Sequence, residues 1–337
     1  MVGIASTWRE LNTFLRLASM VIALILLVGF LLGCDTKNEG IDPPSVDADR
    51  PVERFEFHSG KQLEELVNNL NYTPESWAAG VREVPRLYIT NVPERWRDKT
   101  SLEVDVVTKK RVFFRLIGPL VLRSNELIQA DRERLESAIK TLRAGKTVGQ
   151  SEVTFLGKTA VDYKLAEPGK DIDINDRGLQ DELLQRVDTL PPSLVLAQAA
   201  EESGWGTSRF AVEGNSLFGM WTWGDKGITP KQQRAGLGNY KIASHETPLE
   251  SVSAYMHNLN TNRSYEALRM RRAELRRAGK KVTGWDLAGT LTSYSERGKA
   301  YVDSLHALMK TNKLEPTDNA YLGDGPTILL IPVGEGA

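Results

Sequence analysis

Cysteine is almost missing: Cys34 is the only one in 337 residues. That excludes an internal disulfide framework and any cysteine-based metal cluster. Histidine is nearly as scarce. His58, His245, His257 and His306 are scattered, with no His-Glu-x-x-His or comparable ligand spacing, so neither a metal site nor a cofactor is expected. Charge of one sign is also missing. The 43 Lys and Arg against 44 Asp and Glu leave a net charge of -1, without the basic footprint of a dedicated nucleic-acid binder. No internal repeat is visible. What remains is ordinary globular material, 41% hydrophobic, long enough for one large domain or two ordinary ones.

The place of the single cysteine is informative. Arg9 and Arg16 precede an apolar run from Leu17 to Leu32, then "LLGCD", after which the chain turns polar. This resembles a bacterial lipoprotein signal peptide, whose cysteine becomes the lipidated first residue. The resemblance implies a signal peptide over 1–33, a lipid anchor at Cys34 and a periplasmic location. Asp35 leans the expectation towards the inner membrane. The alternative is an uncleaved anchor, although the run is slightly short of the ~20 residues a spanning helix needs.

Residues 34–51 are polar, rich in Pro, Gly and Asp, and read as a flexible tether. Residues 52–185 read as a helical region. Ile128, Leu135, Ile139 and Leu142 share one face of "ELIQADRERLESAIKTLRAGK", and Gly145 stands where a C-terminal cap belongs. Its Trp77, Trp96, Phe113 and Phe114 are expected in the core. Residues 186–312 are denser in glycine and aromatics. "SLFGMWTWGDKGI" and "GLGNYKIASH" suggest two short strands among helices. Thr247, Pro248 and Glu250 then open a helix with an N-cap, a first-turn proline and a capping acid. The basic segment "LRMRRAELRRAGKK" reads as a solvated helix whose late cations suit its C-terminus. In 313–337, "DGPTILLIPVGEGA" is either an edge strand or a docking tail. The expected fold class is mainly α (α+β).

"LVLAQAAEESGWG", Leu194 to Gly206, ends a predicted helix with two adjacent carboxylates. Pro191 and Pro192 open that helix and Gly204 closes it. Adjacent helical residues project about 100° apart, so Glu201 and Glu202 cannot face one cleft. A carboxyl at the negative helix end among small side chains resists ionisation, the state a general acid needs. Spacing alone does not choose between them.

"AQAAEESGWG" with "GNSLFGMW" resembles the signature of the bacterial cell-wall glucosaminidase family. The matching positions are Ala197, Gln198, Ala199, Ala200, Glu202, Ser203, Trp205 and Gly206, then Asn215, Leu217, Phe218, Gly219 and Met220. The match selects Glu202 as general acid, Glu201 falling on a variable position. "NRSY" resembles the family's active-site tyrosine motif and implies a catalytic role for Tyr265. "YSERGKAYVDSL" resembles its closing Tyr-x-x-x-x-x-x-Tyr helix, from Tyr294 to Tyr301. The resemblance covers about residues 185–312 and implies a lysozyme-like fold, a helical lobe and a small β lobe with a groove between.

Trp221 and Trp223 offer flat faces for sugar rings, and Asn215, Phe218 and Asp225 are further expected substrate contacts. Trp205 is expected to lock the turn after the acid. The family's β-lobe glutamate has no counterpart between Asn215 and His245, so Glu246, or failing that Asp225, is the expected second carboxylate. The reading is a peptidoglycan hydrolase, an endo-β-N-acetylglucosaminidase, with glycan strands and a membrane as partners. Two alternatives stay open, a lytic transglycosylase of the same fold and a non-catalytic wall-binding lipoprotein.

Overall fold

In the computed structural model, which describes residues 50–233 and 238–335, local signals set most helix ends. Strand β1 (Val52–Phe57) leads to α1 (Gly60–Asn69), where the Ser59 hydroxyl accepts from Gln62 N, and to α2 (Pro74–Ala78), capped by Thr73. Strands β2 (Glu83–Val84) and β3 (Leu87–Ile89) precede a wide turn, Trp96–Thr100. Helix α3 then runs from Val106 to Arg143, starting where Asp105 accepts from Val107 N and Thr108 N. It begins well ahead of the expected face and carries Pro119 inside it. Proline there removes a backbone donor. The run Gly118–Ser124 is buried, so tertiary packing outweighs that loss.

Helices α4 (Gln150–Asp162) and α5 (Arg177–Arg186) follow, then α6 (Pro192–Ser203) and α7 (Arg209–Gly214). The β lobe has three short strands rather than two: β4 (Trp221–Thr222), β5 (Gly227–Ile228) and β6 (Lys241–Ala243), antiparallel with β6 in the middle. Helix α8 (Pro248–Thr261) has Thr247 as its cap, as its sequence predicts. Helices α9 (Glu266–Arg277), α10 (Gly284–Ala288) and α11 (Lys299–Thr311) lead to β7 (Tyr321–Leu322) and β8 (Thr327–Pro332). The fold is mainly α with a small β lobe, the class expected.

The last strand is neither an edge nor a tail. β8 lies between β1 and β3 in a parallel sheet, with Val52 opposite Thr327 and Leu87 opposite Ile328. A strand with neighbours on both sides and packing on both faces reads as the continuous apolar run "TILLI". The expected boundary near 185 does not separate two cores either. Phe57, Leu87, Phe113 and Leu120 pack in one cluster with Leu194, Tyr255, Tyr301 and Leu330. A smaller cluster joins Leu135 and Ile139 of α3 to Leu156 and Leu183.

The basic helix is likewise not simply solvated. Arg269 and Arg272 are buried, and Arg272 donates to Gln185 O, Asp188 O, Thr189 O and Asn260 Oδ1. Those acceptors, with the Asp188 carboxylate 3.3 Å from Nε, offset much of the cost of burying this guanidinium. Among the described residues no helix is long and apolar enough to cross a membrane. The expected signal peptide, Cys34 and Asp35 lie outside the described residues.

Candidate active site

Helix α6 is buried from Pro192 through Ala200, and Gly204 closes it at φ 58. Its start is held from a distance. The Asp318 carboxylate accepts from Ser193 N at 2.8 Å, Ser193 Oγ at 2.9 Å and Gly284 N at 3.1 Å. Sequence reasoning missed Asp318, which has no local link to the helix it caps.

The last turn of α6 sends its two carboxylates to different partners. Glu201 Oε1 accepts from Arg297 Nη1 at 2.7 Å and Ser304 Oγ at 3.0 Å. Glu202 Oε1 accepts from the Tyr301 hydroxyl at 2.8 Å, and Gln198 Nε2, one turn earlier and fully buried, donates to that hydroxyl at 3.1 Å. Burial raises the Glu202 carboxyl above the ordinary range. The Tyr301 hydrogen bond opposes this, the Glu201 charge adds to it, and Arg297 lowers it. Burial also lifts the Tyr301 phenol well above its usual range. The result is a half-buried carboxyl biased towards its protonated form, beside a phenol that stays protonated.

Tyr265 belongs to the same neighbourhood. Its ring lies 5.8 Å from Tyr294, which stacks on Tyr301 at 5.0 Å and 10°. Burial raises the Tyr265 phenol, its hydrogen bond with Asn258 opposes this, and the Glu202 charge raises it further. Tyr301 itself carried no expected role. Its position in the closing motif was visible, but its contact with Glu202 spans 99 residues.

The turn behind the acid is rigid. Trp205, at φ 65, packs edge-on against Phe113 and Phe114 at 5.7 and 5.3 Å, and its carbonyl accepts from Trp96 Nε1 at 2.9 Å. Ser203 Oγ accepts from Gly206 N at 2.8 Å. At Gly206, φ is +76 and a Cβ would stand 3.3 Å from Trp96 Nε1.

Two expected substrate contacts are structural instead. Asn215 is 8% exposed and sits at φ 51. Its Oδ1 accepts from Val92 N, and its Nδ2 donates to His245 O and Glu246 O, which pins the β lobe to the strand region. Phe218 is 3% exposed and stacks flat on Tyr255 at 3.8 Å. Both are held inside the fold by these contacts. Trp221 and Trp223 are exposed on the β lobe, Trp221 stacked on Tyr240 at 4.5 Å. Asp225 is exposed and offers its backbone carbonyl to Lys241. The Glu246 carboxylate is 78% exposed and pairs with Lys226 at 3.4 Å. Among the described residues, no β-lobe carboxylate joins the hydrogen bonds of Glu202 and Tyr301, and no group of three or more His, Cys, Asp or Glu is arranged to hold a metal.

The family profile described as mannosyl-glycoprotein endo-beta-N-acetylglucosaminidase, Glucosaminidase, matches residues 180–314. Protein Bax of Escherichia coli strain K12 is 34% identical over 209 residues, which cover 61% of this chain and 70% of that protein. The chain belongs to the glucosaminidase family. At the family level it is a glycosidase. The profile opens inside α5 and closes just after α11. It leaves out β1, β3 and β8, whose side chains share the core of α6. The catalytic domain of the autolysin Auto from Listeria monocytogenes matches 51% of this chain and 89% of its own, at 20% identity and a TM-score of 0.32.

Proposed function

We propose that this glucosaminidase cleaves the glycan strands of peptidoglycan on the reducing side of N-acetylglucosamine, with Glu202 as general acid. The observation that carries the reading is the half-buried Glu202 carboxyl, raised by burial and bound on one oxygen by Tyr301. Because Oε1 accepts from the phenol, the acid's own proton belongs on Oε2, free to reach a glycosidic oxygen. Tyr301, fixed by Gln198, orients the acid. Tyr265 assists the developing sugar cation or orients a water, and Trp221 and Trp223 carry sugar rings. Glu246 is the second carboxylate of this reading, and Asp225 its substitute. The Lys226 pair with Glu246 is solvent-exposed, weak enough for substrate to displace. Cys34 is the lipid attachment site, placing the enzyme in the periplasm, with Asp35 favouring the inner membrane.

The test is digestion of purified peptidoglycan by the chain and by Glu202→Gln, with products identified by mass. Reducing N-acetylglucosamine ends that vanish in the variant support the assignment, and undiminished cleavage by the variant overturns it. The exposure of Glu246 and Asp225 favours one other reading, a lytic transglycosylase working with a single acid. Anhydro-muramyl ends in the same digest support that reaction instead. Retention on cell-wall sacculi without released fragments supports a binding role.

A further inference from the structure

Beneath α1 and the first turns of α3 lies a cavity of about 370 Å³, within the roughly 300–1,000 Å³ of small-molecule sites. Phe57, Leu63, Val67, Ile89, Phe113 and Ile117 make its walls hydrocarbon. Its charged lining is one-sided: Lys61, Arg95, Arg111 and Arg115 against the single acid Glu64. These cations differ in how their donors are met. Arg95 gives its donors to Phe57 O and Val333 O, and Arg111 bonds Thr108 Oγ1 and stands 3.7 Å from Glu64. Arg115 has a buried Nη2 with no hydrogen-bond partner. Arg115 also lines a neighbouring cavity of about 470 Å³.

A buried guanidinium N–H left unpaired is costly, and burial lowers Arg115 from its usual range for that reason. A carboxylate or phosphate oxygen is the partner its planar fork suits. Beside the cavity, Thr100, Val104 and Thr108 contribute to the lining while their neighbours Leu102, Val106 and Val107 are 74%, 65% and 72% exposed. Contiguous apolar side chains facing solvent mark a contact surface for apolar matter.

We propose that this cavity binds a single long acyl chain ending in an anionic head group, with Arg115 as the ligand of that head group. The hydrocarbon walls take the chain, the excess cations select the charge, and Leu102, Val106 and Val107 form the greasy approach. The occupant also touches the acid's helix indirectly. Trp96 and Gly206 line the cavity, and Trp96 bonds the carbonyl of Trp205 in the turn that ends α6.

The experiment is independent of the hydrolase reading. Full-length chain held in amphipol, without alkyl detergent, is irradiated with a palmitic acid bearing a diazirine and digested for mass spectrometry. Label is expected in peptides spanning 57–67, 89–96 or 112–117, displaced by palmitate and not by hexadecyltrimethylammonium. Displacement at lower concentration by lysophosphatidylglycerol than by palmitate identifies a phosphate head group, and the reverse order a carboxylate. Arg115→Gln is expected to weaken palmitate about tenfold, the size of one charge-assisted hydrogen bond, and Arg115→Lys to retain most of the binding. Should Arg115→Gln fail to fold, Arg111→Gln on the more exposed rim serves with a smaller expected loss. Label elsewhere, or equal displacement by the alkyl cation, overturns the proposal.

Discussion

Replacing Tyr301 by Phe removes one oxygen atom from the centre of the candidate site. Two hydrogen bonds go with it, the 2.8 Å donation to Glu202 Oε1 and the 3.1 Å bond accepted from Gln198. A hydrogen bond to a charged group contributes about 1.5–3 kcal/mol. With a tenfold change in rate for each ~1.4 kcal/mol, kcat/KM on soluble glycan fragments is expected to fall roughly ten- to a hundredfold. The fully buried Gln198 amide, whose Oε1 already has no partner, loses an acceptor. That costs about 1–3 kcal/mol of stability, visible as a lowered Tm. The pH profile separates this from mere damage. The phenol stabilises the Glu202 carboxylate, so its loss moves the carboxyl further up. A general acid works below its pKa and fails as pH rises through it, so the alkaline limb of the rate profile moves to higher pH in Tyr301→Phe. Full activity, or a limb displaced to lower pH, refutes the reasoning.

Glu202→Gln is expected to lower turnover by about 10²–10⁴ while stabilising the fold at neutral pH. Burial raises the folded carboxyl above its ordinary 4.5, so the folded state holds the proton more tightly and wild-type stability falls as pH rises through and above that value. Melting curves of the two proteins between acidic and neutral pH check this, and parallel curves would contradict it. Glu201→Gln breaks a pair whose Arg297 side chain is half exposed, so stability changes by at most about 1 kcal/mol and cleavage by a few-fold. A loss equal to that of Glu202→Gln would transfer the acid's role to Glu201. Asn215→Ala removes three bonds to backbone atoms of Val92, His245 and Glu246. It is expected to cost about 2–4 kcal/mol in denaturant titration, with KM unchanged for the folded fraction. Gly284→Ala would set a Cβ 2.1 Å from Ser193 Oγ and 2.7 Å from Leu194 N, and is expected to lower stability by about 1–3 kcal/mol.

What the sequence disclosed was local chemistry. The Gly204 stop, the Thr247 cap and the Pro192 start each depend on a few neighbouring residues, and all three stand where they were read. The choice of Glu202 over Glu201 came from a motif, and the physical difference between them lies elsewhere. It is made by Tyr301 and Ser304 of α11 and by Arg297 just ahead of that helix, about a hundred residues downstream, on a segment no spacing rule brings to α6. Asn215 and Phe218 show the converse. Their motif marked them correctly as special, but a motif does not distinguish a side chain that meets substrate from one that braces the wall behind it. The strands were hardest. β4 and β5 are two residues each, too short for an alternating pattern. "TILLIP" reads only as an edge strand or a docking tail, because its neighbours are fixed by pairing with Val52–Phe57, 275 residues away, and such pairing leaves no local trace.

That pairing also decides how the protein bears a load. β1 and β8 run parallel over six residue pairs, from Val52 with Thr327 to Phe57 with Pro332. A pull on the chain ahead of Val52 acts along β1 and shears it against its neighbour, so the cross-strand hydrogen bonds resist together rather than opening one by one. The sheet therefore ties the segment that enters the described fold at Val52 to the one that leaves it at Pro332.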